Sequence, residues 1–171
     1  VLLDSNFAAL PKGVAEGRRV INNIQRVASL FLVKTCYSFL LALATGVATF
    51  PYPFRPRHLT LISGLTIGIP AFFLALAPND ERVRKGFLVR VLTVAIPGGV
   101  TVAVSTMVAY GLARLDTSMT VAQDRTSAVL VAAGIAFVIL LRVARPLNAW
   151  RLTLVAIMIG LFVLTLALPL G

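Results

Sequence analysis

Five apolar runs, each close to a membrane-crossing length, follow one another along the chain at 27–50, 59–77, 91–113, 126–144 and 152–170. A helix needs about 20 apolar residues to cross the roughly 30 Å hydrocarbon core of a bilayer. Each run therefore predicts a transmembrane helix. The short links between them carry Pro, Arg, Asp and Asn, as turns outside hydrocarbon do. Arg142 falls near the end of the fourth run, where its long stem lets the charge reach the interface. The pattern predicts an all-α fold, a polytopic transmembrane helix bundle of five spans.

The first 26 residues differ in kind. From Pro11, a residue favoured in a first helical turn, no breaker other than tolerated glycines appears until Pro51. Val14, Val20, Ile21, Ile24 and Val27 form a partial apolar stripe at helical spacing. A helix over 12–50 would be about 58 Å long at a rise of about 1.5 Å per residue, far more than the membrane takes up. The excess predicts a helical stalk outside the lipid, continuous with the first span. Val1-Leu2-Leu3 before Asp4-Ser5-Asn6 reads as a short strand ending in a turn.

Composition supports the same picture. The chain is 58% apolar and only 13% charged, with a net charge of +10, whereas soluble domains run at about 45–50% and about 25%. That excludes a soluble monomer and intrinsic disorder. A single Cys36 excludes a disulfide scaffold and a cysteine-based zinc finger. Basic residues scattered between apolar runs indicate a membrane and not nucleic acid. Twelve of the 16 Lys and Arg flank one side of the predicted bundle and four the other, so the positive-inside rule puts the N-terminus in the cytoplasm. All six acids fall outside the predicted spans. The start at Val1, with no signal peptide, and the end at Gly171, as an apolar run finishes, read as a piece of a longer polypeptide.

Val1 to Phe7, Glu16-Gly17-Arg18-Arg19 and Ile21-Asn22-Asn23-Ile24 resemble the end of the phosphorylation domain and the stalk of a P-type cation-transporting ATPase. Residues 56–78, with Pro70-Ala71 and then Ala77-Pro78-Asn79-Asp80, are similar to the sixth membrane helix of that family. Asn22 to Arg26 together with Lys34 look most like the bacterial CtpE-type branch, whose mycobacterial member is regarded as a calcium transporter. The resemblance implies that residues 1–26 are the end of the phosphorylation domain and the cytoplasmic stalk. Residues 27–171 would be helices five to nine of a ten-helix membrane domain in the plasma membrane. It further implies an ATP-driven cation pump, Ca2+ being the first cargo to consider. ATP and Mg2+ would bind to domains outside this chain, whose other partners would be the lipid bilayer and the first four membrane helices. Neither the phosphorylated D-K-T-G-T motif nor a G-x-x-x-x-G-K-[ST] loop occurs in these residues, so no catalytic residue is expected here.

The resemblance also points to a cation half-site. It sets Thr35 and Ser38 where calcium pumps carry ligands on helix five, and Ser63 and Ile67 where helix six carries Asn and Asp. Thr35/Ser38 and Ser63/Thr66 are i,i+3 pairs, each sharing a helix face. Pro70 has no N–H for the Thr66 carbonyl, and Gly64 and Gly68 form a small-x-x-x-small surface. Thr35, Ser38, Ser63 and Thr66 are thus metal-ligand candidates with Pro70 as the helix break; alternatively, the hydroxyls bond between helices and Pro70 only kinks. Calcium prefers six to eight oxygens, commonly with carboxylates, and these spans offer none.

Lys34 lies about 12 Å beyond Arg26 at about 1.5 Å per residue. It either snorkels to the surface or acts as an internal counter-ion at the ion site. Pro97-Gly98-Gly99 is expected to interrupt the third span and free the Thr93 carbonyl, as a kink for packing and not as a second ion site. His58 reads as an interfacial anchor, and Trp150 and Tyr52 as aromatic-belt residues. Arg82-Val83-Arg84-Lys85 reads as an orientation signal with lipid-headgroup contact. Two other function classes fit the span pattern alone: a secondary transporter or channel fragment, and a non-enzymatic membrane subunit.

Overall fold

A computed structural model describes residues 10–48, 51–78, 86–115, 118 and 120–168. They form five helices: α1 (Leu10–Ala48), α2 (Pro56–Leu76), α3 (Phe87–Leu115), α4 (Val121–Val143) and α5 (Ala149–Ala167). All five are long and apolar enough to cross a membrane, and no strand occurs among the described residues. The chain is a multi-pass membrane protein. The strand expected at Val1-Leu2-Leu3 and the basic run Arg82-Val83-Arg84-Lys85 lie outside the described residues.

The 39 residues of α1 form one uninterrupted helix from Leu10 to Ala48. Nothing in the sequence breaks it, since Gly13, Gly17 and Gly46 weaken a helix without ending it. Its first turns stay exposed at Val14, Val20, Ile21 and Ile24, while Leu30, Val33, Tyr37 and Leu41 are buried in the bundle. These four apolar residues near the start of α1 are thus left uncovered by the other four helices.

α3 corrects the expectation of an interrupted third span: it continues through Pro97 from Phe87 to Leu115. Gly98 and Gly99 serve close packing, the role the sequence favours for this segment. A Cβ on Gly99 would stand 2.5 Å from Cβ of Cys36 and 3.2 Å from the backbone nitrogen of Tyr37, so α1 and α3 touch backbone to backbone here. Lipid tails are as apolar as the side chains they meet, so small residues and close packing drive helix association in membranes. α4 follows the same rule, burying Ala128, Ala132, Ala133 and Ala136 on one face.

α4 begins five residues before the predicted span. Thr120 caps it, accepting a bond from the Gln123 amide at 3.4 Å while Gln123 Oε1 accepts from the Thr120 amide at 2.8 Å. This reciprocal arrangement is a capping box, and its T-x-x-Q signature is legible in the sequence. It carries Asp124 into the first turn, where the carboxyl is buried with Oδ1 unpartnered.

Candidate functional site

The second helix is where the regular structure gives way. α2 starts as an α-helix at Pro56, widens to a π-turn over Gly64–Gly68, and returns to α-helix over Ile69–Leu76. The Ile69 N–H donates to the Gly64 carbonyl five residues back. The next residue, Pro70, has no N–H to donate. The carbonyls of Leu65 and Thr66, five and four residues before it, therefore receive nothing from that position. Such π-turns often mark functional sites, and a freed carbonyl at membrane depth needs burial, a partner or a cavity. Gly64-x-x-x-Gly68 followed by Pro70 was the signal in the sequence, but it predicts only a weak point and not the widened turn.

A groove of about 450 Å3 runs between α1 and this turn. Lys34 and Ser38 line it from α1, and Ser63, Gly64, Ile67 and Gly68 from α2. The buried hydroxyls of Ser63 and Tyr37 lie near each other, and neither oxygen has a hydrogen-bond partner among the described groups. The structure thus brings Lys34, Ser38 and Ser63 together. Thr35 stands apart: its side chain is exposed and its hydroxyl donates to the Phe31 carbonyl at 3.1 Å. The Thr66 hydroxyl donates to the Ile62 carbonyl at 2.6 Å and does not line the groove. Both threonine hydroxyls are spent on their own helix, an arrangement that residue spacing does not reveal. Pro70 is buried one turn beyond the groove. Among the described residues, no group of three or more His, Cys, Asp or Glu is placed to hold a metal.

One end of α2 is tied to the N-terminal half of α1. Asn23 Nδ2 donates to the carbonyls of Ala75 and Ala77 at 2.9 and 2.8 Å, and Arg19 Nη2 donates to that of Leu76 at 2.8 Å. Terminal carbonyls of a helix have no intrahelical donor, and a cation favours that negative end of the helix dipole. Arg26 Nη1 donates to Asn23 Oδ1 at 3.4 Å, orienting the amide, and its Nη2 donates to the Arg145 carbonyl at 3.1 Å beyond α4. Three α1 residues spaced at 19, 23 and 26 thereby hold the end of α2 and the link between α4 and α5. Sequence reading singled out Asn22-Asn23 and Arg26 only through the family resemblance; their partners are more than 50 residues away.

Buried polar atoms without partners also occur on α3 and α4. The hydroxyls of Thr106 and Tyr110 and Oδ1 of Asp124 are buried without hydrogen-bond partners. Sequence reading left Asp124 outside the membrane helices and missed its burial.

No family model and no solved structure matches this chain. Curated relatives do. The chain is 45% identical over 184 aligned positions to the calcium-transporting ATPase CtpE of Mycolicibacterium smegmatis and to that of Mycobacterium tuberculosis, with all of this chain and 23% of each relative covered. It is 32% identical to the probable cation-transporting ATPase exp7 of Streptococcus pneumoniae, over 99% of this chain and 23% of that protein. Calcium-transporting ATPase 1 of Bacillus cereus matches half of this chain at 36% identity. The chain spans less than a quarter of the length of the relatives it matches from end to end. Sequence similarity that covers the whole chain, all five helices included, places it, as a membrane segment of the CtpE-like kind, in the P-type cation-transporting ATPase family.

Proposed function

We propose that these residues form the ion-translocating part of an ATP-driven cation pump with Ca2+ as cargo, set in the plasma membrane with the N-terminal end of α1 in the cytoplasm. ATP and Mg2+ bind to domains outside this chain, and phosphorylation of an aspartate there drives the cycle. The observation that carries the reading is mechanical. An unbroken helix of 39 residues is fastened through Arg19 and Asn23 to the end of the helix containing the π-turn. A push along α1 must move the end of α2, because breaking the link would strand three carbonyls.

In this reading the groove between α1 and α2 is half of the cation site. Ser38 and Ser63 supply hydroxyl oxygens, and the Thr66 carbonyl, to which Pro70 has no N–H to give, adds another as α2 rearranges. Thr35 takes part only if α1 rotates, since its hydroxyl is bonded to its own helix. Calcium prefers six to eight oxygens, so the other ligands come from membrane helices outside this chain. Lys34, lining the same groove, serves as the counter-ion: its ammonium occupies the oxygens when cargo leaves and withdraws when cargo enters. The calcium-transporting name of its CtpE relatives supports Ca2+, and with no carboxylate lining the groove among the described residues the cargo is the first thing to measure.

The test is ATP hydrolysis by the full-length protein in vesicles, with Ca2+, Mn2+, Mg2+, Na+ and K+ supplied one at a time. The expected result is vanadate-sensitive hydrolysis stimulated most by Ca2+, with matching accumulation of radioactive calcium. Stimulation by another ion alone replaces the cargo; no cation stimulation at all overturns the pump.

A further inference from the structure

At the stalk end, a groove of about 560 Å3 opens between the last turn of α2 and the first turn of α5. Phe73, Leu76 and Pro78 line one wall, and Asn148, Trp150 and Arg151 the other. The Phe73 and Trp150 rings meet edge to face with centroids 5.8 Å apart. Tryptophan is enriched where membrane meets water, so this groove lies at the level of lipid headgroups.

Its polar end is built for an anion. Arg151 is only 4% exposed, and Nη1 donates to the carbonyls of Ala144 and Pro146 at 3.2 and 2.9 Å. A guanidinium has five N–H donors. No hydrogen bond joins Nη2 or Nε to a described residue, and Arg151 lines the groove. Asn148 is the N-cap of α5, yet its side chain makes no capping bond. The first N–H groups of α5 are therefore without side-chain acceptors, and a helix N-terminus of this kind attracts phosphate. The opposing negative end of α2 is already covered by Arg19 and Asn23. No acidic side chain lines the groove among the described residues.

We infer that this groove binds one anionic phospholipid, its phosphodiester against Arg151, Asn148 and the first turn of α5, and an acyl chain along Phe73, Leu76 and Trp150. A free phosphate would satisfy the polar end and leave the apolar wall bare, so the lipid is the occupant that matches both. The inference does not depend on which ion is carried.

Trp150 is the one tryptophan of these 171 residues and reports on the site directly. The full-length protein is reconstituted in phosphatidylcholine vesicles containing increasing fractions of brominated phosphatidylglycerol or brominated phosphatidylcholine. Quenching is taken as the difference between the wild type and Trp150→Phe. The expected result is saturable quenching with about a tenfold preference for the glycerol lipid, whose phosphodiester has no choline cation of its own to compete with Arg151; tenfold is the scale of one charge-assisted hydrogen bond. Arg151→Gln removes the preference, Arg151→Lys retains part of it, and millimolar inorganic phosphate leaves it unchanged. Equal quenching by the two lipids means bulk contact and overturns the site. Loss of the preference on adding inorganic phosphate replaces the lipid with a free anion. Because Arg151 also holds two carbonyls, Asn148→Ala is a second probe should Arg151→Gln fail to fold: a weakened preference supports the site, an unchanged one overturns it.

Discussion

The Asn23 side chain on α1 and the Ala77 carbonyl at the end of α2 are joined by a hydrogen bond of 2.8 Å, and the same amide nitrogen holds the Ala75 carbonyl at 2.9 Å. Asn23 is 2% exposed. One buried amide therefore links the long helix to the end of the helix that contains the π-turn, and Arg26 fixes which way that amide faces.

Replacing Asn23 with Ala leaves two carbonyls without their donor, at a cost of about 1–3 kcal/mol for each buried group left unsatisfied. The expected outcome is a lower melting temperature and fewer ions moved per ATP, with hydrolysis itself partly kept. Asn23→Asp should be worse, because it sets a negative charge against the negative end of α2. Thermal unfolding and the transport-to-hydrolysis ratio in vesicles check this; a normal ratio in a folded Asn23→Ala protein removes the coupling role.

Gly99→Ala forces a methyl group into Cβ of Cys36, 2.5 Å away, next to the Tyr37 backbone. Overpacking of this kind costs about 1–3 kcal/mol, and no side-chain rotation relieves it because Cβ atoms do not move independently. Gly111→Ala and Gly134→Ala meet nothing within 4 Å and should be neutral or slightly stabilising, alanine being the better helix former. Melting temperatures of the three variants compare them directly.

Pro70→Ala restores an N–H, which lets α2 close as an ordinary helix and re-engage the carbonyls before it. The expected outcome is unchanged or raised thermal stability together with a weaker apparent affinity for the stimulating cation. Ser63→Ala, which removes the buried hydroxyl of a groove-lining residue beside Tyr37, should weaken that affinity by about tenfold, the equivalent of about 1.4 kcal/mol. Cation-stimulated hydrolysis measured over a range of concentrations distinguishes both from wild type. An unaltered curve for both variants rules out this groove as the ion site.

Lys34→Met tests the counter-ion. With its ammonium gone, the emptied site has no internal cation, and ATP turnover should continue while net transport falls. Hydrolysis and uptake measured on the same vesicles give the ratio; wild-type coupling in the variant leaves Lys34 as a side chain reaching for the surface.

Much of this protein is legible in one dimension. Apolar runs of membrane length predict five helices because lipid offers backbone groups no partners, so each span must satisfy them internally. The lack of breakers between Pro11 and Pro51 likewise predicts the unbroken α1, and the structure carries it to Ala48. Spacing groups Ser63 with Thr66 and Thr35 with Ser38, but it is silent on competition from a helix's own carbonyls, and two of these four hydroxyls bond to their own helix.

Local chemistry decides where a helix exists, and that is written residue by residue. Only the tertiary structure decided that Asn23 reaches Ala77, that Gly99 receives Cys36, that Asp124 is buried, and that Arg151 meets Trp150 and Phe73 in one groove. The physical reason is that helices already satisfied along their backbones still choose their neighbours through small residues, capped ends and a few long polar side chains, whose partners lie dozens of residues away.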